Sequence, residues 1–471
     1  MNAQQNIVKN MAKSIIVGLG TTGLSVARFL QKQERAFAVV DSRENPPNAD
    51  DLKQDFIDVP YAFGSFNSEW LNQADQIIVN PGIAITTPEI AEAQQAGAEV
   101  VGDIELFARE AKDSKPIIAI TGSNGKTTVT MLLDLMAKKS GFNVGTGGNI
   151  GTAALDLLND KSTDLYVLEL SSFQLETTQS LQSTTAVILN VSEDHLDRYD
   201  NNIESYAQAK GVIYNNCQHV IYNRDDAYSL RLANQSSGFK TITSFGLDAP
   251  KAEQFGIKSD KGIDYLAKGD QLLMPISEVK LPGLHNVANA LACLALGTFA
   301  GLKMTAMLDV LREYAGMEHR TQWLAKFEGV NWYNDSKGTN VGATLAALTG
   351  LTGKTVLIAG GQGKGADFSP LSSAIKVHAQ AVVLMGEDAK KMATVIDDSV
   401  PVVFVSSMQE AVNEAYKLAR ANNGKEVNVL LSPACASFDM FKNYIVRGEA
   451  FIQAVNKLQT VTTKEEGAMN A

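Results

Sequence analysis

The sequence predicts an α/β protein of three domains: a Rossmann-like N-terminal domain, a central P-loop-type ATPase domain with a mostly parallel sheet, and a Rossmann-like C-terminal domain. Three observations predict it. Short apolar runs alternate with helix-length segments along most of the chain, the pattern of β-α-β units. The runs Ile15–Val17 and Ile117–Ile120 each lead into a glycine-bearing turn that opens a helix. Several later runs end in polar clusters, at the edge where ligands of doubly wound sheets bind.

At 471 residues the chain exceeds one compact core, so several domains are expected. We divide it at 1–110, 111–316 and 317–471, near the polar break Lys112–Pro116 and where the pattern resets around Gly316. The net charge of −11 argues against a nucleic-acid surface and against adhesion to an anionic membrane, so an anionic ligand must be held by local cations and backbone amides. Cys217, Cys293 and Cys435 are odd in number and lack metal-ligand spacing, as expected of reduced thiols. Met1–Ala12 has no signal-like apolar stretch, and no apolar run of 18 residues offers a membrane span. A cytoplasmic protein without membrane insertion is expected.

In the first domain, Ile15–Val17 precedes Gly18-Leu19-Gly20-Thr21-Thr22-Gly23 and a helix, and a second strand ends at Asp41, 18 residues after the third glycine. This is a dinucleotide-type fingerprint, which by itself suggests NAD with Asp41 on a ribose. The same turn can hold any diphosphate at a helix N-terminus, and Arg43 offers a cation. Strands at Gln76–Val79 and Glu99–Val101 and a helix from Pro88 to Ala96 complete the unit, with Gly82 at the carboxyl edge.

The central domain opens on Ile117–Thr128. Its glycines suit a tight loop, placing backbone N–H groups and a helix N-terminus against one anion. Gly122, Ser123, Asn124 and Gly125 form the loop, Lys126 can reach terminal phosphates, and the Thr127 hydroxyl, followed by Thr128, can hold Mg²⁺. The first glycine of the full P-loop pattern is missing, because Ile120 stands there. Glu169 lies inside the strand Leu165–Leu170, where an unpaired carboxylate is costly; a buried ion pair or a Mg²⁺ beside the loop would explain it. Strand Val187–Asn190 ends in an acidic corner around His195, either a metal-and-phosphate corner or a solvated loop. A helix is expected from Ser205 to Asn216, with Lys210 taken by itself as a surface lysine. Asn223–Gln271 reads as polar and irregular, with short strand-like runs. Asn286 and Asn289, one turn apart at a helix start, could cap it or touch a ligand.

The third domain should have strands at Val330–Tyr333, Thr355–Ala359, Ala381–Met385, Val402–Val405 and Val427–Leu431. Polar clusters follow three of them, at 334–340, 360–364 and 432–437. The last helix is expected over Phe438–Leu458, with a disordered tail from Thr460.

Six segments occur in one order: Gly122–Thr128, Glu169–Leu175, Asn190–Arg198, Gly283–Asn286, Met317–Arg320 and Asn334–Asn340. Together they resemble the Mur ligases, ATP-dependent amide-forming enzymes of bacterial peptidoglycan synthesis, over about Lys13 to Lys457. Glu169–Leu175 and Ser432–Asp439 are similar to the D-glutamate-adding members. The resemblance implies UDP-N-acetylmuramoyl-L-alanine on Gly20, Thr21, Thr22, Asp41, Ser42, Arg43, Gly82 and Asn149, replacing NAD, and a shortened phosphate loop is the family's form. It implies ATP on Gly122–Thr128, Asn286, Arg320 and Asp335. It implies D-glutamate on Lys337, Thr339, Lys364, Ser437 and Tyr444, the last in place of an expected phenylalanine. Two Mg²⁺ ions, replaceable by Mn²⁺, would sit at Thr127 and Glu169 and at His195 and Lys210. Carbamylation of Lys210 would turn that cation into an anionic ligand and reverse its surface reading. Lys126, His195 and Lys210 would then carry the catalysis, and a monomer is expected. The competing readings are another amino-acid-adding Mur ligase, a folylpolyglutamate-type ligase, a non-catalytic nucleotide-sensing protein and an NAD-dependent oxidoreductase.

Overall fold

The computed structural model describes residues 13–111, 115–316, 318–421 and 426–469. The N-terminal segment Met1–Ala12, part of the break at Lys112–Pro116, and Met317 lie outside the described residues.

Three sheets organise the chain. The first contains β1 (Ser14–Val17), β2 (Phe37–Asp41), β3 (Tyr61–Phe63), β4 (Gln76–Val79) and β5 (Glu99–Val101) in the order β3-β2-β1-β4-β5. All its pairings are parallel. The order reverses between β1 and β4, so the crevice at their carboxyl ends lies between the Gly18–Gly23 turn and Asn80–Gly82. Gly23 is required there, since a Cβ on it would lie 2.1 Å from the Gly18 carbonyl oxygen.

The second sheet contains β6 (Ile117–Thr121), β7 (Val144–Gly148), β8 (Leu165–Glu169), β9 (Thr185–Ile188), β10 (His219–Asn223), β11 (Thr241–Phe245), β12 (Phe255–Asp260), β13 (Ile263–Lys268) and β14 (Gln271–Pro275). Their order is β14-β13-β12-β11-β10-β9-β6-β8-β7. The sheet is parallel from β7 to β12, and β12, β13 and β14 form an antiparallel edge. The strand-like runs noted in 223–271 are edge strands with exposed ends, and the irregular reading of the stretch is corrected by them and by a helix, Ala227–Gln235. The expected strand 187–190 begins earlier, at Thr185, and the helix expected from Ser205 runs Ile203–Gly211 into a 3₁₀ turn.

The third sheet contains β15 (Gln322–Phe327), β16 (Val330–Asn334), β17 (Lys354–Ala359), β18 (Ala379–Leu384), β19 (Val402–Phe404) and β20 (Val427–Leu431), ordered β15-β16-β20-β17-β18-β19. Only the β15–β16 pair is antiparallel. Asn334, Leu431 and Ile358 share one register row, so the three polar clusters that follow β16, β20 and β17 stand side by side. The last helix corrects the expectation at both ends. It starts at Tyr444 and continues to Met469, with the Thr460 and Thr462 hydroxyls bonded back to helix carbonyls instead of releasing a disordered tail. Val429, Val356, Phe451 and Val455 pack in the core on this side of the sheet.

Candidate active site

β6 lies between β8 and β9, so the loop that follows it sits at the switch point of the central sheet. Gly125 caps the helix Lys126–Ser140 with φ 84°. A Cβ there would meet Asn289 Oδ1 at 2.6 Å. Neighbouring side chains set the loop's shape. Asn190 accepts from the Asn124 N–H at 2.8 Å and donates back to the Asn124 carbonyl at 3.1 Å. The Ser123 hydroxyl donates to the Ser192 carbonyl at 2.9 Å and lies 3.2 Å from the Tyr206 hydroxyl.

Two ammonium groups meet at one carbonyl. Lys126 Nζ donates to the Gly122 oxygen at 2.7 Å, and Lys210 Nζ donates to the same oxygen at 3.0 Å. Lys210 is buried, with its nitrogen 4.3 Å from the Tyr206 ring centroid, which corrects its reading as a surface lysine. Burial, helped by the positive charge of Lys126, drives its pKa well below the ordinary lysine value, against the pull of Asp194 and Glu169. Burial also lowers Lys126, while Glu169 and Asp194 oppose the shift.

Glu169 ends β8 opposite Ile120 of β6. It is buried; Oε1 accepts from Asn149 Nδ2 at 2.8 Å, and Oε2 has no partner. A buried carboxylate oxygen left free beside a phosphate loop suits a hard cation. Among the described residues Glu169 forms no ion pair. Among the described residues no group of three His, Cys, Asp or Glu side chains could hold a metal. The Thr127 hydroxyl, Glu169 and nucleotide phosphates are the donor set that Mg²⁺ favours, so the residues fit the ion in this form. His195 takes a left-handed backbone (φ 53°) beyond β9, with Nε2 3.6 Å from Asp194 Oδ1 and its ring against Phe173.

The third sheet brings its own residues to this loop. Arg320 Nη2 donates to Thr127 Oγ1 at 2.7 Å, and Asn340 Nδ2 reaches Asp194 Oδ2 at 3.2 Å. Asp335 is buried, accepting from the Thr321 N–H at 3.0 Å and the Ser432 hydroxyl at 2.7 Å; burial raises its pKa to about 6. Lys337 Nζ lies 4.1 Å from the Tyr444 ring centroid, and burial lowers it to about 8. Thr339 follows it in the same loop, its N–H on the Lys337 carbonyl. Ser437 is buried at the end of the loop after β20. Lys364 is exposed, with φ 50° and its nitrogen 5.5 Å from the Phe438 ring centroid.

Other expected residues stand as follows. Asn286 caps nothing: its amide donates to the Pro282 carbonyl at 2.7 Å and it accepts from Asn289 Nδ2 at 3.2 Å, so the capping expectation is corrected. Gly283, with φ 95°, starts that helix. In the first domain, Asp41 Oδ2 accepts from the Leu19 N–H at 2.7 Å, and the Arg43 fork closes on both carboxylate oxygens at 2.8 and 2.6 Å. Burial works against the charged carboxylate, but the Arg43 and Leu19 hydrogen bonds hold its pKa below the ordinary value. Asp41 therefore braces the Gly18–Gly20 turn. Gly20 caps the helix that Thr21 and Thr22 begin, while Ser42 and Gly82 are exposed. Arg198 joins this crevice to the central domain, donating to the Ile83 carbonyl at 3.0 Å and Glu176 at 2.8 Å.

Asn190, Asp194 and Asn340 belong to segments singled out in the sequence, but their contacts were not anticipated. Tyr206 meets the loop at Ser123 and Asn289 faces Gly125. Asn289 stands in a noticed motif, whereas Tyr206 carries no local signal.

Comparison with known proteins gives the family. Residues 12–102 match the model of the Mur ligase MurD-like N-terminal domain, 120–297 the Mur ligase middle domain, and 319–435 the Mur ligase glutamate ligase domain. The chain is 50% identical over 448 residues to a UDP-N-acetylmuramoylalanine–D-glutamate ligase of Pseudomonas syringae pv. syringae, covering 94% of this chain and 98% of that protein. A protein of the same name from Nitrosococcus oceani is 48% identical over 449 residues, covering 95% and 97%. A pseudomurein peptide ligase type C from Methanothermus fervidus superposes with a TM-score of 0.57 at 18% identity, covering 95% of this chain and 100% of its own, a likeness of fold.

Proposed function

The chain belongs to the Mur ligase family, and from that premise we propose that it joins D-glutamate to UDP-N-acetylmuramoyl-L-alanine, with ATP cleaved to ADP and phosphate, in cytoplasmic peptidoglycan precursor synthesis. Among the described residues, no helix is long and apolar enough to cross a membrane. The observation that carries the reading is the meeting of Lys126, Lys210 and the half-partnered Glu169 at the carboxyl ends of β6 and β8.

The residues divide the work. Backbone N–H groups of the Gly122–Gly125 loop and the N-terminus of helix Lys126–Ser140 receive the phosphates of ATP, with Lys126 at the terminal group. Asn286, Arg320 and Asp335 surround the remainder of the nucleotide. The crevice between the Gly18–Gly23 turn and Gly82 takes the UDP moiety, with Arg43 toward the uridine and Asn149 toward the sugar. An oxygen of the L-alanyl carboxylate attacks the γ-phosphorus, and the bond to the bridging oxygen of ADP breaks. Thr127 and Glu169 would hold one Mg²⁺, and His195 with a carbamylated Lys210 a second, and the ions would supply neutralisation of the charge on the transferring group. Lys337, Thr339, Lys364, Ser437 and the Tyr444 segment hold D-glutamate so that its amine attacks the acyl phosphate carbon. The amine loses a proton, phosphate leaves, and the amide remains. Most of the rate gain asked of this arrangement is positional, because two anions and an amine must meet without water.

The test is product analysis. Incubation with ATP, Mg²⁺, UDP-N-acetylmuramoyl-L-alanine and D-glutamate should yield, by mass spectrometry, the UDP-sugar carrying one added glutamate. Absence of that product with ATP consumed would contradict the reading.

A further inference from the structure

Arg447 lies in the last helix and is 2% exposed. Its Nε donates to Ser336 Oγ at 3.1 Å, one terminal nitrogen to the Ser336 carbonyl at 2.8 Å, and the other to the Cys435 carbonyl at 3.1 Å. A Cβ built on Gly361 would lie 3.4 Å from Nη1. One guanidinium therefore touches or borders all three polar clusters: the loop after β16 through Ser336, the loop after β20 through Cys435, and the loop after β17 through Gly361. Ser336 also donates to the Tyr444 carbonyl at 2.8 Å, which ties in the start of the same helix.

Every acceptor of Arg447 is neutral. Asp439 and Asp335 act on it through space only, and burial lowers its pKa to about 10, so it stays cationic at neutral pH. A buried cation without a paired anion is costly, and a fold does not need one to join three loops. Lys337 follows the acceptor Ser336 and Ser437 lies two residues after the acceptor Cys435, both in the pocket assigned above to the amino acid.

We infer that Arg447 is the positioning residue of the amino-acid pocket. Its planar fork fixes the three loops in one geometry, and its unpaired charge favours an amino acid with a second carboxylate over one without. The inference rests on the D-glutamate reading of that pocket. Lysine cannot reproduce the fork, because a single ammonium reaches the three acceptors with different geometry, although it keeps the charge.

The experiment compares the full-length protein with Arg447→Lys and Arg447→Met, using amide formation with D-glutamate and with D-glutamine, its isostere with one carboxylate. Arg447→Met should raise the KM for D-glutamate at least tenfold and leave the KM values for ATP and UDP-N-acetylmuramoyl-L-alanine within twofold. Its preference for D-glutamate over D-glutamine should narrow by a similar factor. Arg447→Lys should recover most of the preference but a lower kcat. Unchanged D-glutamate KM in both variants would overturn the inference. So would a parallel loss across all three substrates, or the failure of both variants to fold, because either places the role of Arg447 in general stability. Absence of amide formation by the unmodified protein would instead refute the functional reading.

Discussion

The Arg320 guanidinium donates to the Thr127 hydroxyl at 2.7 Å, linking the segment before β15 to the first turn of the helix behind the phosphate loop. The hydroxyl expected to meet a metal is thus held by a cation from another domain. Nucleotide and metal must replace this bond, and Arg320 becomes available to the phosphates as they do. A hydrogen bond to a charged donor contributes about 1.5–3 kcal/mol. Arg320→Met should therefore lower kcat/KM for ATP by roughly ten- to hundredfold, measured by steady-state phosphate release. An unchanged value would remove Arg320 from the nucleotide site.

Glu169 is buried with Oε2 unpartnered, so its charge is placed for a ligand at the expense of the fold. Glu169→Gln should leave the unfolding midpoint unchanged or higher, since a neutral amide is cheaper to bury. Phosphate release should fall by at least ~100-fold, because a metal ligand is worth several kcal/mol in such transfers. Loss of stability together with activity would make Glu169 structural.

Lys210 shares the Gly122 carbonyl with Lys126 and is driven toward the neutral amine that CO₂ requires. Protein equilibrated with isotopically labelled CO₂ should show one carbamate carbon resonance that Lys210→Arg abolishes. No such signal in active protein would exclude the modification as the source of the second metal ligand.

Asp103 begins the helix Asp103–Ala111, its Oδ2 bonded to Gln174 and its Oδ1 unpartnered. Burial raises its pKa from 3.8 to about 6. The folded state therefore holds this proton more tightly than the unfolded one. Stability falls as pH rises from about 4 to 6, and the full penalty is present above that window. Asp103→Asn should stabilise the protein at pH 7.5 by on the order of 1–3 kcal/mol, a gain that disappears near pH 4. Urea unfolding at the two pH values checks it. An equal effect at both would show that the carboxylate's charge is not the cause.

What the sequence made legible were features whose chemistry is local. Ile117–Thr128 announces itself because strand, glycine turn and helix are contiguous, and Glu169 stands out as a carboxylate within an apolar strand. Lys210 was hidden because its helix carries polar neighbours, and its burial comes from the phosphate loop, 88 residues earlier. The strand-like runs within 223–271 could not be resolved into β12–β14 because each strand has an exposed end and leaves no clean alternation. Whether Asn286 and Asn289 cap the helix or meet a ligand stayed open in the sequence, because spacing cannot tell a backbone N–H partner from the Pro282 carbonyl that Asn286 uses. Arg447 had no signal, since its acceptors lie on loops more than one hundred residues and about a dozen residues away.

The central claim is that phosphate release from ATP is coupled to joining an amino acid to a UDP-sugar. The most direct measurement is phosphate release with UDP-N-acetylmuramoyl-L-alanine, comparing D-glutamate with L-glutamate, L-alanine and meso-diaminopimelate. Release that requires the UDP-sugar and D-glutamate together is the predicted result. Release driven by a different amino acid, or ATP turnover indifferent to both partners, would contradict it.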